Sequence, residues 1–190
     1  MKTLLARGLC CAGLCLPLAL LRAEALPPEL RTSLPAADLA GQATLRFWGL
    51  EIYQATLWVA PGFADAAYAQ SPFALELRYQ RDFKGADIAQ RSLAEMQAQA
   101  PLSEAQAAAW GQRLRELFPD VQRGDRLTGE HQPAVGARFW HNGRWLGELR
   151  DPVFAERFFG IWLSPRSSEP QLRRGLLART GAANTGRSGP

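Results

Sequence analysis

Residues 43–59 read ATLRFWGLEIYQATLWV. Leu45, Phe47, Leu50, Ile52, Tyr53, Leu57, Trp58 and Val59 give this stretch the aromatic and β-branched content of extended chain, and Gly49 marks a bend or bulge between two strand halves. Downstream, Phe73, Leu75, Leu77 and Tyr79 alternate with Ala74, Glu76, Arg78 and Gln80, the pattern of a strand with one buried and one wet face. Three more extended runs follow much later, over 126–131, 137–141 and 145–149. The last two are joined by Asn142-Gly143, whose residues both tolerate positive φ and so favour a two-residue hairpin.

Helical spacing separates these two groups of strands. Ala89, Leu93, Met96 and Ala100 fall on one face, and Pro101 ends that helix. Ser103-Glu-Ala-Gln106 is a capping box for a second helix with its apolar stripe at Ala107, Trp110, Leu114 and Leu117, stopped by Pro119. Asp151-Pro152 opens a third, whose Val153, Phe154, Phe158, Phe159, Ile161, Trp162 and Leu163 predict burial on most sides. A fourth starts at Ser168-Glu-Pro-Gln171 and carries Leu172, Leu176 and Leu177. Strands, two helices, strands, two helices is an α+β order. It predicts an open antiparallel β-sheet with helices packed on one face.

The chain opens with basic residues from Lys2 to Arg7, an apolar run of 13 residues from Leu9 to Leu21, and Ala23-Glu-Ala25. That order is a cleavable secretory signal over 1–25, with cleavage after Ala25 and a periplasmic or secreted destination. The run is shorter than the roughly 20 residues a bilayer requires, so no stable membrane span is expected. Cys10, Cys11 and Cys15 all fall within this segment, which leaves no thiol for disulfide, metal or redox chemistry beyond it. It also holds Lys2, Arg7 and Arg22 against Glu24, so its loss takes the formal net charge from +4 to +2. The remaining arginines are dispersed and form no nucleic-acid motif. Residues 26–179 are one domain's worth of chain, and the polar, glycine-rich 180–190 reads as a disordered tail.

No nucleophile elbow, phosphate-binding glycine loop, zinc-protease helix or calcium loop is present. His131 and His141, with Glu148 or Asp151, could hold a metal, but they read more simply as two strand histidines, and no cofactor or metal is implied. Asp82 and Asp87 read as loop and helix-start charges.

Residues 47–59, with a glycine before an extended Ile-Tyr-x-Ala-x-Leu-Trp, resemble the early hairpin of chalcone isomerase-like proteins, in particular their exported bacterial branch. Residues 77–83, the Asn142-Gly143 hairpin with Gly147, and residues 158–163 followed by 170–174 resemble that family in the same order. The resemblance implies a ligand cleft between sheet and helices. Within the family some members close a flavanone ring, some bind fatty acids and others are non-catalytic helpers. It places Tyr53 where the isomerases have their catalytic threonine and the fatty-acid binders a tyrosine, and Ile161 where a late pocket threonine stands. The anion-holding arginine falls near Gly41 or Gln42, and Arg46 is the nearest one.

Tyr53, Arg46, Ile161 and Trp162 are therefore the expected ligand-binding residues, and no catalytic residue is assigned. Tyr53 and Arg46 have plainer readings, as core and as an exposed strand charge, and Lys84, which follows Arg81-Asp82-Phe83, reads as a solvated loop charge. Trp58, Trp140, Trp145 and Trp162 are expected to line or support the cavity. Three functions fit: a non-catalytic binder of a fatty-acid-like or other small amphipathic ligand, an isomerase or intramolecular lyase on a phenolic or enone substrate, and an envelope assembly factor.

Overall fold

A computed structural model describes residues 25–180. The expected signal (but for Ala25) and residues 181–190 of the expected tail lie outside the described residues. Six strands form one sheet: β1 (Asp38–Phe47), β2 (Leu50–Val59), β3 (Phe73–Tyr79), β4 (Arg126–Gln132), β5 (Gly136–His141) and β6 (Arg144–Leu149). Each pairs antiparallel with its sequence neighbour, in the spatial order one to six. The helical hairpin α1 (Gly85–Gln99) and α2 (Glu104–Leu117) interrupts the meander after β3. Helices α3 (Pro152–Leu163) and α4 (Pro170–Leu176) follow β6.

Local chemistry explains the turns and helix starts. Trp48 and Gly49 have φ of 49° and 79°, and Asn142 and Gly143 have 51° and 80°, so both hairpins close through two left-handed residues. Gly49 thus sits in a two-residue turn rather than a bulge. The Ser103 hydroxyl accepts from the Gln106 amide while the Gln106 side chain accepts from the Ser103 amide, completing the capping box of α2. One oxygen of Asp151 accepts from the amides of Val153 and Phe154 at 2.9 and 3.0 Å, and Pro152 occupies the first helical position of α3.

The register decides which side chains meet. Tyr53 pairs with Tyr79, Ala55 with Leu77, and Leu57 with Leu75, so these face the helices together with Leu127, Gly129 and Phe139. Over this face α3 buries Phe154, Phe158, Phe159, Trp162 and Leu163. Gly129 makes room for it, since a Cβ there would stand 3.1 Å from the Phe159 ring. Gly41 does the same for α4: a Cβ would come within 2.2 Å of the Gly175 carbonyl oxygen.

The opposite face is covered too. A segment beginning with the 3₁₀ turn Pro28–Leu30 lays Leu30 and Leu34 against Trp58, Ala74 and Trp140. The Thr128 hydroxyl donates to Glu29 across this contact at 3.0 Å. So the expected wet face of β3 is covered over most of its length: Ala74 is fully buried and Glu76 lies between the guanidinium groups of Arg126 and Arg78 at 2.7 and 3.5 Å, with Arg78 alone partly exposed. Trp58 and Trp140 belong to this second core, and Trp145 stacks edge-on against Trp140, half-exposed. Of the four tryptophans expected to line the cavity, only Trp162 does so. The other three follow the period-two alternation onto the far side of the sheet.

Candidate functional site

Between the inner face of the sheet and helices α1, α3 and α4 lies a cavity of about 340 Å³. That is at the small end of the range for pockets that enclose small molecules. Leu75, Leu77, Tyr53 and Tyr79 form its floor, Ile88 and Phe83 one side, and Phe158, Ile161, Trp162 and Leu172 the other. The walls are overwhelmingly apolar, and the polar groups are few enough to assign one by one.

Two phenols stand in the floor. The Tyr53 hydroxyl accepts from the indole N–H of Trp162 at 3.0 Å, tying β2 to α3 and leaving its own proton free to donate. The Tyr79 ring meets Tyr53 edge-on with centroids 5.9 Å apart. Tyr79 is only 4% exposed, yet its hydroxyl has no hydrogen-bond partner among the described residues. Burial raises the pKa of both phenols above the ordinary tyrosine value, so both are protonated hydrogen-bond donors at neutral pH.

The remaining polar groups cluster at the mouth. Asp87, Arg91 and Glu95 recur every four residues along α1, which puts them in one row. Ser168 and Glu169 face them from the start of α4. The Arg91 guanidinium pairs with Glu95 at 2.5 Å, and the Ser168 hydroxyl donates to Glu95 at 2.7 Å.

A family model described as chalcone isomerase-like matches residues 25–178. The chain belongs to the chalcone isomerase-like family. A Haemophilus influenzae protein called only an uncharacterized protein is 28% identical over 111 residues, 58% of this chain and 54% of the relative. The chain thus spans about half the length of the curated relative it matches. The crystal structure of a fatty-acid binding protein from Arabidopsis thaliana superposes with a TM-score of 0.60 at 8% identity, covering 75% of this chain and 87% of that one. At that identity the likeness speaks for the fold.

Within this chalcone isomerase-like chain, three of the four expected site residues come together: Tyr53, Ile161 and Trp162 all line the cavity. Arg46 does not. Alternation along β1 turns Leu45 and Phe47 to the cavity and Arg46 to the other face, where it pairs with Glu51 at 2.6 Å with 65% of its side chain exposed. The register shift beside it leaves Ile52 as the extra residue on β2 and does not bring Arg46 in. The cavity's arginine is Arg91, from α1 instead of β1. The isoleucine and serine flanking it, Ile88 and Ser92, mark a second inward-facing row on that helix beside the Ala89–Met96 row. Tyr79 was visible in the sequence only as one apolar position of an alternating strand.

The other candidates lie elsewhere. Lys84 pairs with Asp120 at 2.7 Å, outside the cavity. His131 is buried, stacked on Phe73, with Nδ1 3.0 Å from the Ser71 carbonyl oxygen. His141 lies beside Asp125 at 3.3 Å, at the other end of the β4–β5 ladder. Their separation along that ladder removes the two histidines as a shared metal site. Asp82 accepts from the Arg123 amide, and Asp87 joins the mouth.

Proposed function

We propose that this protein is a non-catalytic binder of a fatty-acid-like or other small amphipathic molecule, held in the cavity between sheet and helices. The observation that carries this reading is the cavity's make-up: apolar walls, two buried phenols and a polar rim confined to one end. Such a pocket takes a chain into its walls and leaves a polar group near the mouth. Both phenols are protonated hydrogen-bond donors near neutral pH, which suits them to hold a polar group of the ligand. We place the binder in the periplasm or outside the cell, on the order of charged, apolar and small residues over 1–25.

Native mass spectrometry of the purified protein tests the binding, followed by delipidation and titration with long-chain fatty acids and their neutral esters. A co-purifying lipid-sized mass and stoichiometric uptake are expected. An empty protein that takes up neither class sinks the reading. Export is tested separately by N-terminal sequencing of the protein recovered from the envelope, which should begin at Leu26.

A further inference from the structure

Four charged side chains and two phenols set the chemistry of the polar end. At the mouth stand three carboxylates, Asp87, Glu95 and Glu169, against one cation, Arg91. That cation is already paired with Glu95, and no salt bridge among the described residues engages Asp87 or Glu169. The imbalance reaches the floor: Glu169 and Glu95 each act on the Tyr53 hydroxyl more strongly than Arg91 does. A free carboxylate brought to this place would meet net negative charge and find its arginine occupied. Like charges brought together out of water are strongly disfavoured.

The phenols ask for an acceptor. Tyr79 has a hydroxyl without a partner among the described residues, in a wall of the cavity, and that oxygen is not among the fully buried unpaired polar atoms, so it is open to a group that enters the cavity. Tyr53 has its oxygen engaged by Trp162 and its proton to spare. An ammonium group would offer further donors to a pair of groups that already present donors.

We propose, building on the ligand-binding reading above, that the cavity selects an amphipathic molecule whose polar end is an uncharged carbonyl oxygen, as in an ester, amide or ketone, and discriminates against a free carboxylate. The carbonyl accepts from Tyr79, with Tyr53 as the second donor, while the acidic mouth turns away anionic lipids.

The test is calorimetric titration of the delipidated protein at pH 8 with methyl laurate, laurate and dodecylamine, three ligands that share one chain length. Methyl laurate should bind at least about tenfold more tightly than laurate. Tyr79→Phe, checked for native folding by circular dichroism, should weaken the ester about three- to tenfold, the loss of one neutral hydrogen bond. Glu169→Gln, at a half-buried position that does not depend on the core, should raise laurate affinity by about threefold or more. Laurate binding as tightly as the ester overturns the proposal and leaves the carrier reading standing. So does dodecylamine binding most tightly, since the mouth would then select by charge alone. If the Tyr79→Phe protein folds and binds the ester unchanged, the proposed donor is wrong. If none of the three ligands binds, the carrier reading itself falls.

Discussion

Asp151 is the residue on which the helical wall of the cavity hangs, and replacing it separates two contributions that the sequence reveals only in part. One of its oxygens caps α3 through the amides of Val153 and Phe154, and the other accepts from the indole N–H of Trp110 at 3.0 Å. Asp151→Ala removes the cap, a loss of about 1 kcal/mol. It also strands the indole N–H of a residue only 4% exposed, which adds about 1–3 kcal/mol. Together these predict a destabilisation of about 2–4 kcal/mol, or roughly 5–15 °C in Tm for a chain of this size. Asp151→Asn keeps one carbonyl oxygen for the cap, and Asn caps helices about as well as Asp. It sets an NH2 donor against the Trp110 indole N–H, however, so it should lose only the second contribution, about 1–3 kcal/mol. Urea denaturation followed by tryptophan fluorescence gives both values, with the midpoint falling and the slope unchanged if the native fold persists. A loss under about 1 kcal/mol for the alanine variant would refute the two-bond account. Equal losses for Ala and Asn would show that the cap itself contributes nothing measurable.

Four further substitutions probe the rest of the chain. Arg46→Ala should leave ligand affinity unchanged and shift stability by less than about 0.5 kcal/mol, since its pair with Glu51 is exposed; a severalfold loss of binding would place Arg46 in the cavity after all. Gly41→Ala drives a methyl group into the backbone of α4, so a loss above about 2 kcal/mol is expected by denaturation, and a neutral outcome would contradict the packing of α4 on β1. Trp48→Asn relieves a 90%-exposed tryptophan at φ 49° and should stabilise by about 0.5–1 kcal/mol; a destabilised hairpin would show that its stacking on Phe47 outweighs the backbone strain. Burial lowers the pKa of His131, so the unfolded chain takes up a proton first as pH falls through the ordinary histidine value of 6.5, and stability is lost from there downward. Subtracting the curve of His131→Asn from that of the parent between pH 8 and 5 should isolate this slope, and identical slopes would count against it.

What could be read in advance was what neighbouring residues decide among themselves. The Asn142-Gly143 turn, the Ser103 capping box and the Asp151-Pro152 start depend on side chains one to three positions apart, and all three stand where the sequence puts them. The site was less legible because its polar groups come from distant elements. Arg46 was expected there only as the nearest arginine, although alternation between Leu45 and Phe47 already turns it away from the cavity. The far side of β3 reads as wet because the residues that cover it, Leu30 and Leu34, come from some forty positions earlier. Arg91 carried one signal that could have been used: Ile88 interrupts the polar face of α1, a hint that this helix has two buried sides.

A cavity walled by aliphatic and aromatic groups tends to collapse, because closing it restores the dispersion contacts its lining lacks. Here the walls are held at fixed separation by hydrogen bonds that cross between elements around the void. Trp162 on α3 donates to Tyr53 on β2, and Ser168 before α4 donates to Glu95 on α1. Behind α3, Gln99 at the end of α1 donates to the Arg157 carbonyl oxygen at 3.0 Å, and Tyr68 donates to that of Glu156 at 3.0 Å. Each bond has a short preferred length, so sliding α3 inward would break several at once, and those of Trp162 and Gln99 are part-buried, where replacement by water is poorer. Tyr53 therefore acts as strut and donor together, its oxygen bracing the helix and its proton facing the space that bracing preserves. That double use explains how a residue can be core by burial and still belong to the site.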